Sequence, residues 1–440
     1  MMEPEAIARA AFVPTSLPFT VTRAEGAYLY TPEGRPVLDA AGGAVVMNIG
    51  HGRAEVAEVA ARALSELTYV VPPFATPDRV RLVERLTKNW LPEGITRATF
   101  VSGGSESVEA AIRLARQHHL AAGRPERWKV IGTDMSYHGI SLGALSVGGH
   151  ANRRRGFEPL LLPFPKVHAP YRLRGADGTD PGDDPAAELE EVILREGPET
   201  VAAFIAEPVV GSAAGVLVPP ANYWPRLREI CDRYEVLLIA DEVMSGFGRT
   251  GVRFGVDLWD VKPDIMVGGK GLAGGYAPMG GLYASERVVA PMAAAGAELM
   301  FYTFSGHPAS CAVAGKVLEI MEREELVARA AKMGKVLGAR LAALAAHPNV
   351  AEVRGVGLLW GVELVKDRRT LERFPASTRL VSRVVGAGLQ RGVFFYPGGS
   401  GPAQDVVMLG PPFIINEEDI DIMVDVLGEA IDAAVTTVKE

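Results

Sequence analysis

The sequence predicts an α/β protein, with a mostly parallel central sheet carrying helices on both faces and a smaller α+β domain beside it. Two observations predict this. Between residues 53 and 325, short apolar runs alternate with stretches of helical period; a strand that is apolar along its whole length is buried on both faces, as in a parallel sheet. Beyond residue 325 the alternation gives way to one long amphipathic stretch, clustered strand candidates and a last helix. A chain of 440 residues accommodates one large domain and a smaller one. The expected boundaries are an N-terminal segment, 1–52, contributing to the small domain, a large domain over 53–325, and a C-terminal small domain over 326–440.

The elements follow in order. Tyr28, Leu29 and Tyr30, then Val37 and Leu38, flank the turn residues "TPEG" and read as short strands. "RATFVSGG", "WKVIGTD", "VAAFIAEP", "VLLIADEV" and "PDIMVGG" each hold a short apolar run ending in glycine, proline or a carboxylate. Between several of them lie helix-period stretches, "SESVEAAIRLARQHHLAAG" and "NYWPRLREICDRYE" among them. The polar, Gly/Pro-rich "GADGTDPGDDPAAE", 175–188, reads as a surface loop. A long helix over 326–347 follows, then strand candidates in "VAEVRGVGLLWGVELV", "VFFYP" and "DVVMLGPPF", and a final helix from about Glu417.

Bulk properties exclude several classes of function. A net charge of -8 disfavours a nucleic-acid partner, which wants a basic face. Arg153, Arg154 and Arg155 form the one basic cluster, too short for a binding tract. Cys231 and Cys311 give neither a disulfide framework nor metal-ligand spacing, so no metal is expected and a reducing compartment fits. The opening residues lack a secretory pattern, and no apolar run reaches the roughly 18 residues a membrane helix needs. A cytoplasmic protein without membrane contact is the expectation.

In an open parallel sheet, ligands sit outside the carboxyl ends of the strands. The residues there are Gly103, Gly104 and Ser105, then Asp134, Glu207, Asp241 with Glu242, and Lys270. "FVSGGSESVEAAIRLAR" is a strand, a glycine turn and a helix start, whose N–H groups suit a phosphate. Asp241 ends the apolar run "EVLLIA"; a carboxylate buried there needs a cation, and a protonated heterocycle nitrogen is one. Tyr137 can stack on a flat ligand.

Gly269, Gly271 and Gly274 spell the glycine pattern of a dinucleotide loop. Gly274, Gly275 and Pro278, then Gly280 and Gly281, follow at once, and no helix propagates through them. What remains is Lys270, on backbone expected to be flexible, facing the same sheet edge as Asp241 and able to act as a Schiff-base nucleophile. A phosphate cup, a carboxylate for a ring nitrogen, a stacking aromatic and a lysine for an aldehyde together meet the requirements of pyridoxal 5'-phosphate.

The stretches "FVSGGSESVEAAIRLAR", "SYHGISLGALSVGG", "LLIADEVMSGFGRTG", "PDIMVGGKGLAGGYAPMGG" and "YTFSGHPASCAVA" carry a resemblance that runs over nearly the whole chain. The chain resembles the class III (omega) aminotransferases of the pyridoxal phosphate fold-type I group, the amine:pyruvate transaminases among them. Its most specific feature is the 29-residue spacing from Asp241 to Lys270. The resemblance implies that Lys270 is the Schiff-base lysine and proton shuttle, and that Asp241 partners the pyridinium nitrogen. It implies that Val243 and Tyr137 cover the two ring faces, and that Gly104 and Ser105 give phosphate donors. Glu207 matches the acid near the ring hydroxyl, and His138 and Gly139 complete a Tyr-His-Gly motif. Thr303 would reach the phosphate of a neighbouring subunit, which implies a homodimer with shared sites, a tetramer of two such dimers being the alternative.

Two departures stand out. Gly401 occupies the place where many members carry a mobile arginine for the acceptor's carboxylate, and no arginine follows Arg391. Carboxylate recognition then falls to other residues, Arg153, Arg154 or Arg155 being candidates. Val45 stands where several relatives place a bulky aromatic in the substrate pocket. The activity implied is transfer of an amino group from an amine or ω-amino acid to an α-keto acid such as pyruvate, by a ping-pong mechanism. A decarboxylating transaminase or aminomutase of the same family is an alternative, and a nicotinamide (NAD)-dependent dehydrogenase a more distant one.

Overall fold

A computed structural model of the chain describes residues 20–171, 173 and 184–439. The opening residues, and the 175–188 loop up to Asp183, lie outside the described residues. Strands β1 (Arg23–Glu25), β2 (Tyr28–Tyr30) and β3 (Pro36–Asp39) form an antiparallel meander. The central sheet holds β4 (Ile95–Val101), β5 (Lys129–Thr133), β6 (Lys166–Val167), β7 (Val201–Ala206), β8 (Leu237–Asp241), β9 (Ile265–Gly268) and β10 (Gly280–Ser285). Their order is β4-β10-β9-β8-β7-β5-β6. Every pairing in it is parallel except those of β10, which runs antiparallel to both β4 and β9.

All five apolar runs are strands of this sheet. Strands β6 and β10 are additions that the apolar pattern does not reveal. Gly280 and Gly281 break a helix, as expected, but they also open a strand. A Cβ at Gly280 would lie 2.3 Å from Ser107 Oγ, so glycine there lets the helix Gly104–Ala121 close on the sheet.

The two faces of the sheet feed two separate apolar clusters. Phe204, Leu238, Ala240, Met266 and Tyr283 enter one; Ala203, Ile205, Leu237, Ile239, Ile265, Val267 and Leu282 enter the other. The side-chain period of two thus places apolar groups on both faces, which is why these runs read as continuous. The helix Tyr223–Arg233 packs on β8, and the helix Gly104–Ala121 on β9 and β10.

The C-terminal region adds β11 (Val350–Val356), β12 (Leu359–Leu364), β13 (Val393–Phe394), β14 (Tyr396–Gly398) and β15 (Val406–Leu409). Four of these make an antiparallel sheet in the order β11-β12-β15-β14, while β13 pairs in parallel with β3. The long helix ends at Leu341, and a 3-10 turn, Ala342–Ala346, completes the stretch predicted to 347. Among the described residues no helix is long and apolar enough to cross a membrane.

Candidate active site

The carboxyl ends of β4, β7, β8 and β9 converge on a cavity of about 170 Å³. Gly104, Ser105, Tyr137, His138, Gly139, Glu207, Asp241, Val243 and Lys270 line it, together with Met244, which sequence reading did not single out. Lys270 follows β9 and opens a 3-10 turn of three residues. No helix follows the Gly269–Gly274 pattern, so the dinucleotide-loop reading fails on geometry.

The glycine bed is not there for flexibility, which corrects the expectation. A Cβ at Gly271 would lie 3.0 Å from Phe247 Cβ, and one at Gly274 would lie 2.5 Å from Asn48 Oδ1. Asn48 Nδ2 also donates to the Gly271 carbonyl at 2.8 Å. The glycines let neighbouring chain press against the lysine turn and hold it. Lys270 itself takes φ +37°, a left-handed conformation that costs a non-glycine residue free energy and needs surrounding structure to enforce it. Burial lowers its amine from the ordinary lysine range to about 8, against the opposing pull of Glu207 and Asp241.

Asp241 is 3% exposed. Its Oδ2 accepts from His138 Nδ1 at 2.6 Å, and its Oδ1 accepts the Val243 N–H at 3.1 Å. A carboxylate has no proton to give, so His138 carries hydrogen on Nδ1. The opposite ring atom, Nε2, is buried and has no hydrogen-bond partner among the described residues. Glu207 accepts the N–H groups of Tyr137 and Gly211, each at 2.8 Å. Burial pushes its carboxyl up to about 7; the charge of Asp241 adds to this, and His138 with the two N–H donors opposes it.

The helix Gly104–Ala121 starts at the cavity. Gly139 takes φ +126°, and a Cβ on it would lie 2.4 Å from Ser105 Oγ. The Tyr-His-Gly turn therefore lies directly on the helix start, where Ser105 Oγ accepts the Ile140 N–H at 3.3 Å. A Cβ at Gly104 would lie 2.9 Å from Val243 Cγ1. These features fit pyridoxal phosphate: N–H groups open at a helix start, a buried carboxylate held from behind by an imidazole, and a buried amine on the same cavity.

Other residues at strand ends turn away. Glu242, next to Asp241, accepts from Ser245 Oγ at 2.6 Å and from the N–H groups of Gly255 and Val256, both at 2.8 Å. Asp134 accepts the Ala169 N–H at 2.8 Å. Neither lines the cavity. Val45 is 2% exposed, at φ +59°, in an apolar cluster with Met244 and against Tyr137, but is not itself a lining residue. Arg153 lines a second cavity, and Gly401 lines that cavity with it. Thr303 is exposed and away from this chain's own cavity; its carbonyl accepts the Tyr69 hydroxyl at 3.0 Å.

The model of the family "Aminotransferase class-III" matches residues 11–431. The putrescine–pyruvate aminotransferase of Pseudomonas aeruginosa is 36% identical, over 95% of this chain and 91% of that protein. The taurine–pyruvate aminotransferase of Bilophila wadsworthia is 35% identical, over 96% of this chain and 93% of its own length. Among solved structures, the omega transaminase from Pseudomonas jessenii in complex with PMP superposes with a TM-score of 0.91 at 32% identity, covering 100% of this chain and 99% of that one. A nicotinamide-dependent dehydrogenase is therefore set aside, and the chain belongs to the class-III aminotransferases.

Proposed function

We propose that this class-III aminotransferase moves the amino group of an amine or ω-amino acid to an α-keto acid, pyruvate among them, in two half-reactions at the cavity beside Lys270. The observation that carries this is a buried amine with its pKa lowered to about 8, opening on the same cavity as the buried Asp241–His138 pair. Relatives named for putrescine, taurine and pyruvate support the substrate classes.

Pyridoxal phosphate, the cofactor of this class, supplies a carbonyl that condenses with amines and an electron-poor ring that accepts the electron pair of a broken Cα–H bond. The chain's own residues do the rest. The backbone N–H groups of Gly104 and Ser105 bind phosphate at the helix start. Tyr137 and Val243, which line the cavity, would cover the two ring faces. The Asp241 carboxylate would hold a proton on the ring nitrogen, and His138, bonded to its Oδ2, keeps that carboxylate oriented. Lys270 Nζ would hold the cofactor in the resting site and carry the proton taken from the substrate's amine-bearing carbon. Glu207, which lines the same cavity, would lie near the ring hydroxyl and the substrate entrance.

We further infer a homodimer in which Thr303 serves the partner's phosphate site. Thr303 lies between Phe301 and Phe304, exposed at 53% and 59%, an apolar surface of the kind a partner covers. The large domain, 53–325, and a small domain built from 1–52 and 326–440 are part of the same reading; the β3–β13 pairing supports the joining of the two chain ends. A cytoplasmic location accords with two free, buried thiols.

The test is alanine formation from pyruvate with a panel of amines, using protein loaded with pyridoxal phosphate. Alanine should accumulate, and Lys270→Ala should lose at least about 10²–10⁴-fold in turnover together with the visible absorbance of the bound cofactor. Carbon dioxide release, or isomerisation without any acceptor, would replace this reading with the decarboxylating or aminomutase one. Undiminished turnover in Lys270→Ala rejects the role given to that lysine.

A further inference from the structure

Lys270 stands between two glycines, Gly269 and Gly271, whose backbones are the least restricted of any residue type. Local preference therefore does not set its left-handed φ of +37°, and the hold must come from outside the turn. On the near side the sheet supplies it, because Gly268 pairs with Gly281 of β10. The Ser107 hydroxyl adds to that pairing by donating to the Gly268 carbonyl at 3.1 Å. Beyond Lys270 the strand has ended, and there the side chain of Asn48 grips the turn.

Asn48 is 1% exposed and does not line the cavity. Its amide is engaged at both ends. Nδ2 donates to the Gly271 carbonyl at 2.8 Å and lies 3.1 Å from Met321 Sδ, while Oδ1 accepts the Ile49 N–H at 2.9 Å. Turning the amide over would set oxygen against the Gly271 carbonyl and NH2 against an N–H, so its orientation is fixed. The main chain is engaged as well, since the Asn48 carbonyl accepts the Phe413 N–H at 2.8 Å. The amide therefore fastens the lysine turn to a point where the N-terminal segment and the segment after β15 are already bonded. Its Oδ1 also presses on Gly274, whose N–H closes the turn on the Lys270 carbonyl at 2.9 Å.

We propose that Asn48 is a positioning residue for amino transfer, holding the Gly271 carbonyl so that the Lys270 amine keeps its working position in the cavity. It acts through the backbone and touches neither substrate nor the reacting atoms. Only an amide of this size offers a donor and an acceptor at once; an aspartate of the same shape donates only while protonated, and leucine not at all. The proposal rests on the amino-transfer reading above and adds to the site a residue more than 200 positions away in sequence from the lysine it serves.

The test follows uptake of pyridoxal phosphate by cofactor-free protein in stopped flow, with circular dichroism recorded in parallel to confine the comparison to folded protein. Asn48→Ala should slow uptake at least about tenfold, and in the loaded enzyme should lower kcat similarly with the KM for pyruvate little changed. Asn48→Asp separates positioning from packing. Its carboxyl fills the same space, and burial without a cation favours the protonated form, which alone donates to the Gly271 carbonyl. The ratio of its uptake rate to that of wild type should therefore climb at least about tenfold from about pH 9 down to about pH 5. Asn48→Ala uptake within about twofold of wild type, or an Asn48→Asp ratio that stays constant with pH, overturns the proposal; where Asn48→Ala does not fold, the Asn48→Asp ratio decides alone. Should the wild type form no alanine from any amine, amino transfer fails as a reading, while the uptake ratios still decide whether Asn48 positions the lysine.

Discussion

Lys270 is placed against two local preferences at once. Its amine is buried, which disfavours the ammonium, and its backbone is left-handed, which disfavours any side chain. Both costs are met because the glycines around it admit close neighbours, a role that the sequence shows only as an unusual density of glycine. The lysine's chemistry was legible from its position after an apolar run; its left-handed backbone was not, since nothing in a single residue type announces φ +37°. The lowered pKa has a measurable consequence. The free amine is the nucleophile, and below a pKa of about 8 its population falls tenfold per pH unit. Uptake of pyridoxal phosphate by cofactor-free protein should therefore speed up about tenfold per unit up to about pH 8 and then level off. A lysine at its usual 10.5 would keep accelerating well beyond that, and stopped-flow mixing across pH separates the two. The same shift acts on stability with a defined sign. Between about 8 and 10.5 the unfolded chain binds the extra proton, so the penalty for burying this group shrinks as pH rises through that window.

Asp241 and Glu242 show what one strand end does with two adjacent carboxylates. Successive side chains on a strand leave by opposite faces. Asp241 turns to the cavity, and Glu242 turns to the loop at Phe254–Val256, where the N–H groups of Gly255 and Val256 hold it together with the Ser245 hydroxyl. Sequence reading named both as strand-end candidates and had no means of separating them, because the face each takes depends on which strand neighbours lie on either side. Strand β10 was hidden for a related reason: its glycines have low strand propensity, and they are required by Ser107 on the packed helix and by the Tyr283 hydroxyl, 2.1 Å from a Cβ at Gly281. The Glu242 assignment is testable. Glu242→Ala strands a hydroxyl and two backbone N–H groups in a buried site, and should cost about 3 kcal/mol of unfolding free energy. Cofactor absorbance at saturating pyridoxal phosphate should persist in that variant, since Glu242 does not reach the cavity. A urea transition indistinguishable from wild type contradicts the structural role, and loss of the absorbance in folded protein contradicts the separation of faces.

At the scale of the whole molecule, distant parts of the chain must be brought to one place, and Arg249 does this from the inside. It is 3% exposed, and no carboxylate pairs with it among the described residues. Its Nη1 donates to the carbonyls of Leu358 at 3.1 Å and Pro411 at 2.6 Å, and its Nη2 to that of Met47 at 2.8 Å. The guanidinium also lies 4.6 Å over the Phe413 ring. One side chain thus joins the turn before β12, the segment after β15 and the N-terminal region to the loop that follows Asp241. Burial lowers its pKa to about 9, so it remains charged at neutral pH. The alternation of strands and helices was legible in the sequence because it is local; this convergence was not, since the partners are backbone carbonyls, which every residue possesses. Arg249→Met fills similar space and removes all the donors, leaving three buried carbonyls unpaired. The expected cost is about 3–5 kcal/mol in urea unfolding of the cofactor-free protein. Arg249→Lys should recover only part of it, because a single ammonium on a flexible stem does not reproduce a planar fork directed at three carbonyls. A loss under about 1 kcal/mol in Arg249→Met would show that water or rearranged chain satisfies those carbonyls, and that the regions around Met47, Leu358 and Pro411 are held together by apolar packing alone.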